Sequence, residues 1–158
     1  MKQFLTTVFC LFILSISAQE KNFKEFYKAH KKEANLSLNV PGFIASFFID
    51  DQDDKALDDL LDKANNYKVL VFDNNSSSVQ KDFKKFVKRN KLKTIVRIKD
   101  KGDRISIHFR EEKNRIKEII VNVFSKNKDA VMVGLKTNLT KEELNTIISK
   151  TDIKLASK

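Results

Sequence analysis

The 158-residue chain has no tryptophan, one cysteine, one proline, three glycines and two histidines. Each scarcity removes a class of chemistry. The glycines are Gly42, Gly102 and Gly134, too far apart to form a loop that cradles a phosphate, so a nucleotide site has no support. The cysteine, Cys10, lies in the first apolar run, and beyond it the chain has neither disulfides nor thiol chemistry. No Cys/His spacing fits a zinc site, and no serine stands in a Gly-x-Ser-x-Gly elbow. His30 and His108 leave a two-histidine metal site geometrically possible but without further ligands to support it. No cofactor is expected.

What is present begins with a secretory signal by pattern. Lys2 supplies a positive start, Phe4 to Leu14 is almost wholly apolar, and Ser15-Ile16-Ser17-Ala18 ends in small residues suited to cleavage. The run is shorter than the roughly 20 residues that span a bilayer. Residues 1–18 are therefore read as a signal peptide, 19–150 as a single domain and 151–158 as a tail, with no membrane span in the mature chain. A mature chain beginning at Gln19 is long enough for its own core.

The longest patterned stretch, Lys93 to Lys136, reads as a four-strand meander. Val96 and Ile98, then Ile105, Ile107 and Phe109, then Ile119, Val121 and Val123, then Val131, Val133 and Leu135 alternate with period two. Polar, turn-prone segments of hairpin length separate the runs. This alternating set is expected to form the buried face, covered by helices. Phe23, Phe26, Tyr27 and His30 predict an amphipathic helix over 22–34, and Leu36, Leu38 and Val40 a short strand. Ile44, Phe47 and Phe48 predict a helix after Pro41, and Leu57, Leu60, Leu61 and Ala64 another. Tyr67 to Phe72 reads as a strand. Val79, Phe83, Phe86 and Val87 make a helix stripe, with Ser76 to Ser78 ending in its N-cap. Thr140 followed by Glu143 is a capping box for a closing helix bearing Leu144, Ile147 and Ile148. The fold class is α+β: a mainly antiparallel sheet with the helices on one face.

Charge divides unevenly. Residues 19–80 carry a net −3 and residues 81–158 a net +12. The basic half includes Lys84, Lys85 and Lys88 on a helix and Arg97, His108 and Arg110 on the polar side of the meander. Phe124 shares that side, and Ile120, Met132 and Gly134 lie on the matching side of the last two strands. The residues Lys84, Lys85, Lys88, Arg97, His108, Arg110, Phe124 and Met132 thus mark a candidate interaction surface for another envelope protein or an anionic envelope component. Export argues against nucleic acid. The acidic run Asp50-Asp51-Gln52-Asp53-Asp54, continued by Asp58, Asp59 and Asp62, offers oxygen ligands to calcium but lacks the glycine and twelfth-position glutamate of an EF-hand. A solvated helix start accounts for it more simply.

The order of these features resembles the DUF4252 family of exported proteins from Bacteroidota. The resemblance rests on Phe23-Lys-Glu-Phe-Tyr27, Leu36-Ser-Leu-Asn-Val40, Asp54-Lys-Ala-Leu-Asp-Asp-Leu-Leu61, Tyr67-Lys-Val-Leu-Val-Phe72, Arg115-Ile-Lys-Glu-Ile-Ile-Val121 and Ala130-Val-Met-Val-Gly-Leu135. It implies an exported protein and brings no catalytic residues. Many relatives look like lipoproteins with a cysteine after the signal. Gln19 stands near that place here, which favours a soluble periplasmic or secreted form. The reading is a non-enzymatic envelope domain that binds through its basic helix or sheet face. The alternatives are a calcium-dependent adhesion module and a hydrolase using His108, against which the lack of a convergent acid, base and nucleophile counts.

Overall fold

A computed structural model of the chain describes residues 21–42, 63–73 and 76–150. The expected signal peptide, the acidic run, the helices bearing Phe47 and Leu60, and the tail lie outside the described residues. In chain order the elements are α1 (Phe23–His30), β1 (Leu36–Pro41), β2 (Asn66–Phe72), α2 (Ser77–Arg89), β3 (Lys93–Asp100), β4 (Asp103–Glu112), β5 (Arg115–Phe124), β6 (Ala130–Leu139) and α3 (Lys141–Lys150). The six strands make one antiparallel sheet in the order β1-β2-β6-β5-β4-β3.

The meander forms as expected because its turns are built for it. Lys101 and Gly102 between β3 and β4, and Lys113 and Asn114 between β4 and β5, all adopt positive φ. Two consecutive residues of that kind twist with the strands they join. At α1 the Asn22 Oδ1 accepts a hydrogen bond from the Glu25 N–H at 3.0 Å, satisfying a donor that the helix itself cannot. The capping box of α3 is complete. The Glu143 N–H donates to Thr140 Oγ1 at 3.0 Å, and the Thr140 N–H donates to the Glu143 carboxylate at 2.7 Å. Ser76 holds the N-cap position of α2 but makes no side-chain capping bond.

Which face of the sheet is covered differs from the expectation. The aromatic stripes of α1 and α2 lie on Leu70, Phe72, Ala130, Met132, Ile120 and Phe124, the side opposite to the alternating set. Phe26 is the hub: its ring centroid lies 5.7 Å from Phe83 and 5.1 Å from Phe86, spacings at which aromatic pairs attract beyond their burial. The other face is the one read as core. There α3 packs Leu144 and Ile147 against Tyr67, Ile119 and Leu135, so the helices divide between both sides of the sheet. Of the alternating set, Val96, Ile119 and Leu135 are buried, Val131 is exposed and the rest are half-buried. The physical reason is that valine and isoleucine report strand propensity as much as burial. The aromatic helices need relief on the sheet below them, and Ala130 and Gly134 supply it. A Cβ on Gly134 would overlap the Phe23 ring. Only a glycine lets α1 lie that close.

Candidate functional site

A cavity of about 790 Å³ opens where the start of α1 meets strands β2, β6, β5 and β4. Its floor follows from strand register. Asn66, Lys136, Glu118 and Arg110 stand side by side across β2, β6, β5 and β4. In the neighbouring row Asn39, Lys68 and Gly134 are adjacent on β1, β2 and β6. Strand pairing thus gathers residues up to 97 positions apart, Asn39 and Lys136, into one polar patch, and Phe23, seated on Gly134, forms its wall.

Glu118 is 7% exposed. Its carboxylate accepts from Arg110 Nε at 3.1 Å and from the Phe23 N–H, the first of α1, at 3.4 Å. Burial pushes its pKa up, against the pull of the Arg110 guanidinium. Arg110 also donates to Glu112 at 3.0 Å, so its planar fork bridges two carboxylates. Lys68 Nζ is held differently. It donates to Asn39 Oδ1 at 2.7 Å and to Asn66 Oδ1, both neutral acceptors, and stands 5.9 Å from the centre of the Tyr27 ring. Burial lowers its pKa, the cations Lys24, Lys136 and Lys28 lower it further, and the Glu118 carboxylate pulls it part of the way back up. Five cations, Lys24, Lys68, Arg110, Lys117 and Lys136, line the cavity against two carboxylates, Glu112 and Glu118. Both carboxylates bond to Arg110. The lining is left with an excess of positive charge, whose side-chain partners at Lys68 and Lys117 are neutral asparagines. Such a site is suited to holding an anion.

A family model described as a domain of unknown function, DUF4252, matches residues 17–147 of the 158. The chain belongs to the DUF4252 family. No curated protein and no solved structure matches it. Among the described residues of this DUF4252 domain no helix is long and apolar enough to cross a membrane, and no group of three His, Cys, Asp or Glu could hold a metal ion.

The structure scatters the residues singled out from the sequence. Lys84, Lys85 and Lys88 are exposed on α2, with Lys85 paired to Asp82 at 3.0 Å, and Arg97 is exposed on β3. Arg110 is the one that enters the cavity of the DUF4252 domain. Three are corrected. Phe124, Met132 and His108 are buried because their side of the sheet is the one α1 and α2 cover, so none belongs to a surface. His108, 3% exposed, lies edge-on to the Phe83 ring at 5.7 Å. Its hydrogen bonds place a proton on Nε2. Ser106 Oγ donates to Asn122 Oδ1 at 2.7 Å, so at 3.0 Å it accepts from His108 Nε2–H. Nδ1 then accepts from Thr94 Oγ1 at 3.1 Å. Burial, and then Arg97, lowers the His108 pKa. The imidazole is a neutral structural link between strands, and it lines neither this cavity nor the smaller hollow of about 260 Å³ at the start of α2.

Proposed function

We propose that the chain is an exported, non-enzymatic binding domain of the cell envelope, and that its cavity holds the carboxylate or phosphate group of an envelope glycan. The observation that carries this reading is the treatment of Lys68. A partly buried ammonium is normally matched by a carboxylate, yet here its hydrogen bonds go to two asparagine carbonyls, and the nearby Glu118 carboxylate is bonded to Arg110 while three cations crowd the ammonium. An incoming anion would relieve that repulsion and gain charge-assisted hydrogen bonds. Binding is favoured over chemistry because Glu118, the acid in the cavity floor, is committed to Arg110 and to the start of α1. The sheet face is favoured over the lysines of α2, which stand exposed on the outside of a helix. Export is supported by the signal-like first 18 residues.

The test is a nitrogen–proton correlation titration with glucuronate, glucose 6-phosphate and, as the neutral control, glucose. The two anions should move the amide signals of Lys68, Gly134 and Lys136, and Lys68→Met or Lys136→Met should weaken binding about tenfold, since a hydrogen bond to a charged group contributes about 1.5–3 kcal/mol. Equal shifts with glucose, or shifts confined to Lys84, Lys85 and Lys88, would refute the cavity as the site.

A further inference from the structure

The two edges of the sheet are finished in opposite ways. The β3 edge has the features that keep strands from pairing. It carries Lys93, Arg97, Lys99 and Asp100, and a bulge interrupts its register between Thr94 and Val96. The β1 edge, Leu36-Ser-Leu-Asn-Val-Pro41, has no charged residue and no break in register with β2. Two of its leucines face solvent, Leu36 at 48% and Leu38 at 42% exposed. Among the described residues no strand pairs with the outer side of β1. The Gly42 N–H donates to Asn65 at 3.0 Å, so by antiparallel alternation Val40, Leu38 and Leu36 point their backbone groups at β2. Ser37 and Asn39 therefore point theirs outward.

We propose that β1 is a homodimer interface, pairing antiparallel with β1 of a second copy across a two-fold axis at Leu38. The segment is complementary to itself. A two-fold at Leu38 sets Leu38 opposite Leu38, Leu36 opposite Val40, and Ser37 opposite Asn39, with all the apolar side chains on one face. Of the registers that keep the outward backbone groups bonded to one another, this one matches all three apolar positions on both strands. Pro41, which lacks an N–H, ends the ladder. The pairing joins the two sheets into one, and an isologous contact of this kind closes at two copies. The inference does not depend on what the cavity binds.

The experiment uses the mature chain from Gln19, which has no thiol of its own. Sedimentation should show the mass doubling with concentration, and Leu38→Lys should leave a monomer with an unchanged circular dichroism spectrum. Leu38→Cys should then form a disulfide-linked dimer under mild oxidation. Leu38 meets its own copy at a non-hydrogen-bonded position, where Cα atoms lie about 4.5 Å apart, within disulfide reach. Leu36→Cys should not cross-link, because its copies would lie four residues out of step, about 13 Å apart. A monomer at every concentration overturns the proposal. So does equal cross-linking of the two cysteine variants. A Leu38→Lys variant that melts well below the parent at concentrations where the parent is itself a monomer overturns it too, because Leu38 would then be covered by its own chain.

Discussion

Gly134→Ala tests how the aromatic helix is seated on the sheet. The added methyl would lie 2.5 Å from Phe23 Cε1 and 2.6 Å from its Cγ. Carbon atoms attract best at about 3.5–4.0 Å, so the ring must retreat by about 1 Å or more. It has little room, being 2% exposed and stacked on Phe26 at a centroid distance of 5.8 Å. Overpacking of this kind costs about 1–3 kcal/mol. Against it, alanine restricts the unfolded chain, a gain of about 0.4–1 kcal/mol. The net loss is about 1–2 kcal/mol, a fall in Tm of about 3–8 °C for a chain of this size. Calorimetry measures it directly. Phe23→Leu supplies the control, because a smaller, more pliable side chain should recover part of the loss, giving a coupling of about 0.5–1 kcal/mol. A Gly134→Ala protein as stable as the parent, or a loss undiminished in the Phe23→Leu background, would refute this account of α1.

Ile120→Asp should abolish folding, because it places a charge on a fully buried side chain, while Val121→Asp on the half-buried side should leave a folded protein with a lowered Tm; thermal melts of the pair decide which face is the aromatic core. The Glu118 carboxyl should titrate above the ordinary carboxylate range, and Arg110→Met should push it higher still, as followed by carbon NMR. Because the folded Glu118 binds its proton more tightly than the unfolded one, its contribution to stability is full below about 4.3 and lost as pH rises through the raised value. Glu143 runs the other way. Lys63 and the Thr140 N–H hold its carboxyl down to about 2, so its contribution is present above about 4.3 and lost as pH falls towards 2. Urea midpoints of Glu143→Gln should therefore depend less on pH between 4 and 2 than those of the parent. Thr140→Ala, which removes the cap, should cost about 1 kcal/mol in the same assay.

Local signals were readable without the structure. The Thr140–Glu143 box, the stripe of Phe83 and Phe86, and the period-two runs of the meander each name an element whose geometry a few neighbouring residues enforce. The choice of covered face was not readable, because β5 presents Ile119 and Val121 on one side and Ile120 and Phe124 on the other. Nor was the cavity. The β4–β5 turn pairs Glu112 with Arg115, and counting back from it puts Arg110 opposite Lys117. A bulge between Arg110 and Glu111 slips the register by one and sets Arg110 against Glu118. Such a slip depends on the local backbone and leaves no residue signature. Arg110 therefore reads as a solvated charge when it is half of a part-buried pair.

The division of the helices between the two sides has a consequence for how the molecule opens. The side that carries α1 and α2 is a continuous aromatic layer, whereas α3 is fastened by Leu144, Ile147 and Ile148 and by exposed ion pairs, Lys63–Glu143 and Lys141–Glu111, at 2.8 Å each. Exposed pairs of that sort contribute little. On the contacts of the described residues the α3 side should be the weaker cooperative unit, and its amide protons should exchange with solvent through an opening that leaves the opposite layer closed. β6 belongs to both units: its Leu135 supports α3 while the adjacent Gly134 and Lys136 belong to the cavity. A ligand that stiffens that strand should slow exchange in a helix it never touches.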